Sequence, residues 1–228
     1  MANSVFAQHR RSSSSVIQAY PVVGMAISQI EGDNLKGFKK FGFTGGVGAL
    51  VPIDRYQQYH IDISASFSQR GACENLYSAE TPYVLRGFSL NYVDIPVMLY
   101  YRDPKGGMQA GLGLSFSRLV QQPHGEMLWA AGEPNVIPDT SDLSFLRNDI
   151  AIVAGFRFSV WQHLKFDVRC QYSLLPIKRD WHFIDYHDPH HPGEVWEEYN
   201  NCYNFSIQTR LMYVFGEPDR YRAKKKKR

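Results

Sequence analysis

The sequence predicts an all-β protein, an eight-stranded antiparallel transmembrane β-barrel with short periplasmic turns and long outer loops. Three observations carry this. Eight segments show, with varying strength, the period-two alternation of a strand that has two unlike faces. The joints between them are by turns short, at residues 54–57, 103–106 and 162–163, and long, at 30–39, 71–87, 120–144 and 178–200. That rhythm matches outer-membrane barrels, whose tight turns and long loops lie on opposite sides of the bilayer. Finally, no run approaches the roughly 18 apolar residues of a membrane helix, so entry into a bilayer requires a closed barrel.

The first strand, residues 16–28, alternates least. The second, 41–53, holds Gly42, Gly46 and Gly48 on one parity, small residues suited to a narrow barrel where it curves or where long neighbours fill it. In the third, His60, Asp62, Ser64, Ser66, Ser68 and Arg70 alternate with Ile61, Ile63, Ala65 and Phe67. The fourth sets Tyr92, Asp94, Met98 and Tyr100 against Val93, Ile95, Val97 and Leu99, and the fifth sets Gly111, Gly113, Ser115 and Ser117 against Ala110, Leu112, Leu114 and Phe116. The sixth carries Ile150, Ile152, Ala154, Phe156, Phe158 and Val160 opposite Asp149, Gly155, Arg157 and Ser159. Alternation is clear in the seventh, with Leu164, Phe166, Val168, Cys170, Tyr172 and Leu174 against Lys165, Asp167, Arg169, Gln171 and Ser173. The last strand repeats it, with Tyr203, Phe205, Ile207, Leu211, Tyr213 and Phe215 against Asn204, Ser206, Gln208 and Arg210.

Periodicity does not say which face points outward. A soluble lipocalin-like barrel would turn the apolar face in and the charged face to water. Strand length favours the membrane version, because the segments often exceed the roughly 9–11 residues that cross a bilayer. Tyr59, Tyr100, Tyr101, Tyr172, Tyr203, Tyr213 and Phe215 lie near strand ends, where interfacial girdles form. The lumen is then expected to hold a charge network of Asp62, Arg70, Asp94, Arg157, Asp167, Arg169 and Arg210. Eight strands leave an interior just wide enough for side chains, which argues against transport of large solutes through it.

Composition agrees with one barrel domain over residues 16–216. The chain of 228 residues has 44% hydrophobic residues and no second compositional block. Its mean hydropathy of −0.34 is compatible with strands that each give half their residues to a polar lumen. The net charge of +3 owes everything to a terminal run, Lys224, Lys225, Lys226, Lys227 and Arg228, within a basic periplasmic tail at 217–228. Such a run is either a solvated terminus or a contact for nucleic acid, anionic lipid or an acidic partner protein. No zinc-finger spacing, aromatic-basic interleaving or phosphate-binding glycine loop points to nucleic acid. Residues 1–15 read as a signal-peptide remnant ending near Ala7, then a flexible lead-in.

The fourth loop is acidic and rich in histidine, with His182, His187, His190 and His191, but its spacing fits no zinc motif and no metal is expected. Trp181 and Trp196 there, with Trp129 in the third loop, are either partner contacts or anchors that fold the loops over the barrel mouth. Cys73 and Cys202 both fall on the outer side, where a disulfide is conceivable, while Cys170 would face lipid. No nucleophile and base are singled out by spacing, so no enzyme, cofactor or small-molecule substrate is expected.

The stretch at 24–47, GMAISQIEGDNLKGFKKFGFTGGV, resembles the opening hairpin of the outer-membrane β-barrel domain family that includes PorT. Residues 90–101, LNYVDIPVMLYY, are similar to that family's fourth strand, and 110–115, AGLGLS, to its fifth. The resemblance implies an outer-membrane component of the type IX protein secretion system. It would be needed for export or translocon assembly for proteins with a C-terminal sorting domain, with other secretion components or a translocon barrel as partners. Both termini would be periplasmic. The lysine-rich tail and histidine-rich loop are not family markers, and a surface adhesin that binds through its long loops is the alternative.

Overall fold

A computed structural model describes residues 17–33, 37–54, 58–78, 81–104, 107–121, 144–161, 163–185 and 196–215. They form nine strands: β1 (Gln18–Glu31), β2 (Lys40–Pro52), β3 (Tyr59–Ser78), β4 (Thr81–Arg102), β5 (Gln109–Gln121), β6 (Asn148–Ser159), β7 (Leu164–Ser173), β8 (Lys178–Asp185) and β9 (Trp196–Tyr213). Each of β1 to β7 pairs antiparallel with the next, except that β7 pairs with β9 rather than β8. The ring closes where β1 meets β9, in register from Val22↔Met212 to Glu31↔Tyr203. Eight strands, β1–β7 and β9, therefore form a closed wall. Closure matters because an open edge in hydrocarbon would leave backbone donors and acceptors unmet, at several kcal/mol each.

The apolar face is outside. Val47, Ile63, Val97, Leu112, Leu114, Ile152 and Leu211 are exposed on the wall, whereas Asp62, Arg70, Arg157, Asp167 and Arg210 are buried within it. This excludes the lipocalin-like arrangement. At the short-turn end, the ring of Tyr59 lies 5.2 Å from Tyr101, Tyr213 lies 5.2 Å from Phe215, and Trp161 is exposed. At the other end Tyr172 stacks 6.4 Å from Tyr203, and its hydroxyl donates to Glu31 at 2.7 Å. Tyr100 does not join either girdle. It shares the parity of Tyr92, Asp94 and Met98, so its ring points into the lumen and is fully buried.

Three further expectations change. The first strand runs from Gln18 to Glu31, three residues further toward the long-loop end than its alternation suggested. Its inward residues Tyr20, Val22, Ala26 and Ile30 are apolar, which hides the contrast between its faces. The second long connection is largely strand: β3 and β4 continue past the wall, paired from Gly71↔Ser89 to Leu76↔Val84, while β2 leaves β3 at Ser68 and β5 leaves β4 at Asn91. The fourth connection likewise contains β8 and the head of β9, paired from Lys178↔Cys202 to Asp185↔Trp196.

At the short-turn end, Asp54 accepts the Tyr59 N–H at 2.9 Å. In the next turn Asp103 donates its N–H to Met108 and accepts that of Gly107, which sits at φ +71° where only glycine is at ease.

Candidate functional site

The lumen is the most strongly built polar feature among the described residues, and its parity explains its content. Residues of even number in β1 to β4 and β9, and odd number in β5 to β7, point inward, so seven charges from five strands converge. Asp62, Arg70, Asp94, Arg157, Asp167, Arg169 and Arg210 all lie inside.

They form two groups. Nearer the short turns, Asp167 accepts from Arg157 Nε at 3.2 Å, Arg169 Nε at 3.1 Å and Arg210 Nε at 3.0 Å. Asp62 accepts from Arg157 at 2.5 Å, from Arg169 at 2.9 Å and from the Tyr20 hydroxyl. The Arg157 guanidinium also lies over the Tyr100 ring, 4.4 Å from its centroid, and the Tyr100 hydroxyl reaches Asp167 at 3.3 Å. Nearer the long loops, Arg70 pairs with Asp94 at 2.5 Å and with Asp149 at 3.8 Å. Ser68 donates to Asp94 at 2.6 Å, Ser173 to Asp149 at 2.8 Å, and Gln171 accepts from Arg70 at 3.1 Å.

Asp149 is the member that the sequence reading left out of the network. With it, four arginines face four aspartates across these ion pairs. The signal was available, since Asp149 shares the parity of Arg157 on the same strand. Tyr20, Tyr92 and Tyr100 are lumen groups as well; of these Tyr100 is the one expected at the interface, because an aromatic near a strand end reads first as an interfacial residue.

Glycines make room for these large side chains. A Cβ on Gly155 would strike the Tyr100 hydroxyl, and one on Gly111 would lie 2.7 Å from the Tyr100 ring. Gly48 does the same for Tyr20, and Gly24 for the stem of Arg210. The charged middle is bounded by apolar plugs. Tyr20, Val22, Leu50, Met212 and Val214 cluster at the short-turn end. Ile30, Phe88, Leu90, Leu119, Phe145, Ile177 and Cys202 belong to a second cluster at the long-loop end. Arginine and tyrosine side chains with apolar groups at both ends fill the bore, and this arrangement suits a rigid strut rather than a conduit.

Cys73, Cys170 and Cys202 are all free, and Cys170 is exposed on the wall. Cys202 lies beyond the last pairings of β9 with β1 and β7, and burial pushes its thiol up to about 12, with Asp33 acting in the same direction. A thiol held that high carries little thiolate at neutral pH. The proposed contact residues fare differently. Trp181 and Trp196 lie on the β8–β9 hairpin rather than in a loop. Trp129, Lys224, Lys225, Lys226, Lys227 and Arg228 lie outside the described residues, as do His187, His190 and His191. Among the described residues no group of histidine, cysteine and carboxylate has the makings of a metal site.

A family model described as outer membrane protein beta-barrel domain matches residues 6–179. Three solved structures share low identity with the chain. The attachment invasion locus protein Ail of Yersinia pestis is 12% identical, over 87% of this chain and 98% of its own, with a TM-score of 0.42. Neisserial surface protein A is 12% identical, over 86% and 97%, with a TM-score of 0.44. OprG from Pseudomonas aeruginosa is 11% identical, over 87% and 95%, with a TM-score of 0.38. No curated protein matches the sequence.

Proposed function

The chain belongs to the outer membrane protein beta-barrel domain family, and from that premise we propose that it is a non-enzymatic component of the type IX secretion system, needed for export or translocon assembly for proteins with a C-terminal sorting domain. The observation that carries the non-conducting part of this reading is the filled lumen. With Arg157, Arg169, Arg210, Tyr20 and Tyr100 packed across the bore, cargo does not pass through this barrel. Its work falls to its surfaces: the outer wall, the two hairpins that stand beyond the wall, and the basic tail. The resemblance of residues 24–47, 90–101 and 110–115 to PorT-like barrels supplies the secretion assignment.

The β3–β4 and β8–β9 hairpins favour a second reading, a surface adhesin, because both extend the barrel at the long-loop end. One experiment separates the two. The tagged protein is purified from detergent-solubilised outer membranes, its companions are identified by mass spectrometry, and a deletion strain is assayed for cargo. Co-purified translocon components together with unprocessed sorting-domain cargo in the periplasm support secretion. A solitary barrel in a strain that exports cargo normally and loses surface binding supports the adhesin.

A further inference from the structure

Among the described residues the outer wall carries a recess that neither the lumen nor the hairpins explain. It measures about 500 Å³ and lies on β4, β5 and the residue just before β6 near the long-loop end, lined by Val93, Ile95, Phe116 and Val120 with Arg118 and Arg147. Its size falls in the range of small-molecule sites, roughly 300–1,000 Å³.

Arg118 breaks a rule that the rest of β5 obeys. Leu112, Leu114, Phe116 and Val120 form the outward row, and Arg118 interrupts it one position before Val120, which is itself exposed. The cation therefore stands near the long-loop end of the outward row, with an exposed apolar residue on either side. Arg147 joins it from the segment just before β6: its carbonyl accepts the Leu119 N–H at 2.7 Å, its side chain is exposed, and the adjacent Leu146 is exposed too. Among the described residues neither guanidinium has a carboxylate partner. A lone arginine on a membrane protein can reach for the interface with its stem along the wall. Two that line one apolar recess make a different arrangement, which offers two planar donors to a phosphate and a surface that suits hydrocarbon.

We propose that this recess holds a phosphorylated lipid of the surrounding bilayer, an acyl chain against Val93, Ile95, Phe116 and Val120 and the headgroup phosphate between Arg118 and Arg147. The lipid sits on the wall at the level of the headgroups. It would tie the barrel to one leaflet and mark the β4–β6 side as its lipid-facing side in any assembly.

The test is native mass spectrometry of the full chain in detergent micelles, titrated with diphosphoryl lipid A, with the same lipid stripped of its phosphates, and with inorganic phosphate. The wild type should retain the phosphorylated lipid at least ten-fold better than the stripped one and should not retain inorganic phosphate. Arg118→Gln and Arg147→Gln should each reduce that preference several-fold, and the double variant should abolish it. Folding is checked by the heat-dependent gel shift of the barrel. Should a glutamine variant fail to fold, Arg118→Lys with Arg147→Lys replaces it, and a preference between those of wild type and zero is expected. Equal retention of both lipids, capture of inorganic phosphate at the same affinity, or an undiminished preference in the double variant would each overturn the proposal.

Discussion

Replacing Asp167 with asparagine keeps the shape of the side chain and removes the charge on which three arginines converge. Arg157, Arg169 and Arg210 each place Nε 3.0–3.2 Å from its carboxylate, and every one of these side chains is at most 2% exposed. In the variant, Asp62 still holds Arg157 and Arg169, so two guanidiniums share one anion, while Arg210 loses its carboxylate. Removing one partner of a buried ion pair costs about 3–5 kcal/mol, because a charge is left in low dielectric without compensation. With three pairs affected, the loss belongs at the upper end, about 4–5 kcal/mol, against a total stability of about 5–15 kcal/mol for a typical domain. With an m-value of about 2–3 kcal/mol/M in urea, the unfolding midpoint falls by roughly 2 M. The assay is urea unfolding of the barrel in lipid vesicles, read by gel shift and tryptophan fluorescence. Adding Arg210→Gln to Asp167→Asn should recover part of the loss, since it removes the orphaned cation. A midpoint within about 0.3 M of wild type, or a second substitution whose cost simply adds, would refute a lumen held by charge balance.

Gly155→Ala should destabilise the barrel by about 1–3 kcal/mol because its methyl meets the Tyr100 hydroxyl, and Tyr100→Ala in the same chain should relieve that clash; equilibrium unfolding of the three variants checks it. Leu114→Arg places a charge on the wall mid-strand, opposite Val97 and Ile152, and should cost about 2–4 kcal/mol in vesicles, measured as the folded fraction across a urea series. Planar-bilayer recordings of the purified barrel should show no steady conductance, and a stable open level in the wild type would contradict a bore filled by arginine and tyrosine.

Much of the barrel was legible along the chain. Period-two alternation placed the eight wall strands, and the parity of Asp62, Arg70, Asp94, Arg157, Asp167, Arg169 and Arg210 was readable on one face of each strand. Where the lumen turns apolar the signal failed. In β1 the inward Tyr20, Val22, Ala26 and Ile30 look like the outward residues, so hydropathy cannot separate the faces. The hairpin extensions escaped because they bury only a few residues, Ala72, Phe88 and Cys202 among them, too few to leave a periodic trace.

Outside β1, local pattern settled the element type and the parity of the wall strands, because a pleated backbone forces successive side chains to opposite sides whatever surrounds them. The tertiary structure decided what a parity meant. Only closure of β1 on β9 turned the charged face inward, sent Tyr100 to the bore instead of the interface, and brought Asp149 across from β6 to balance Arg70. Those outcomes depend on distances between strands far apart in the chain, and one-dimensional periodicity carries no information about which residues on different strands meet across a barrel.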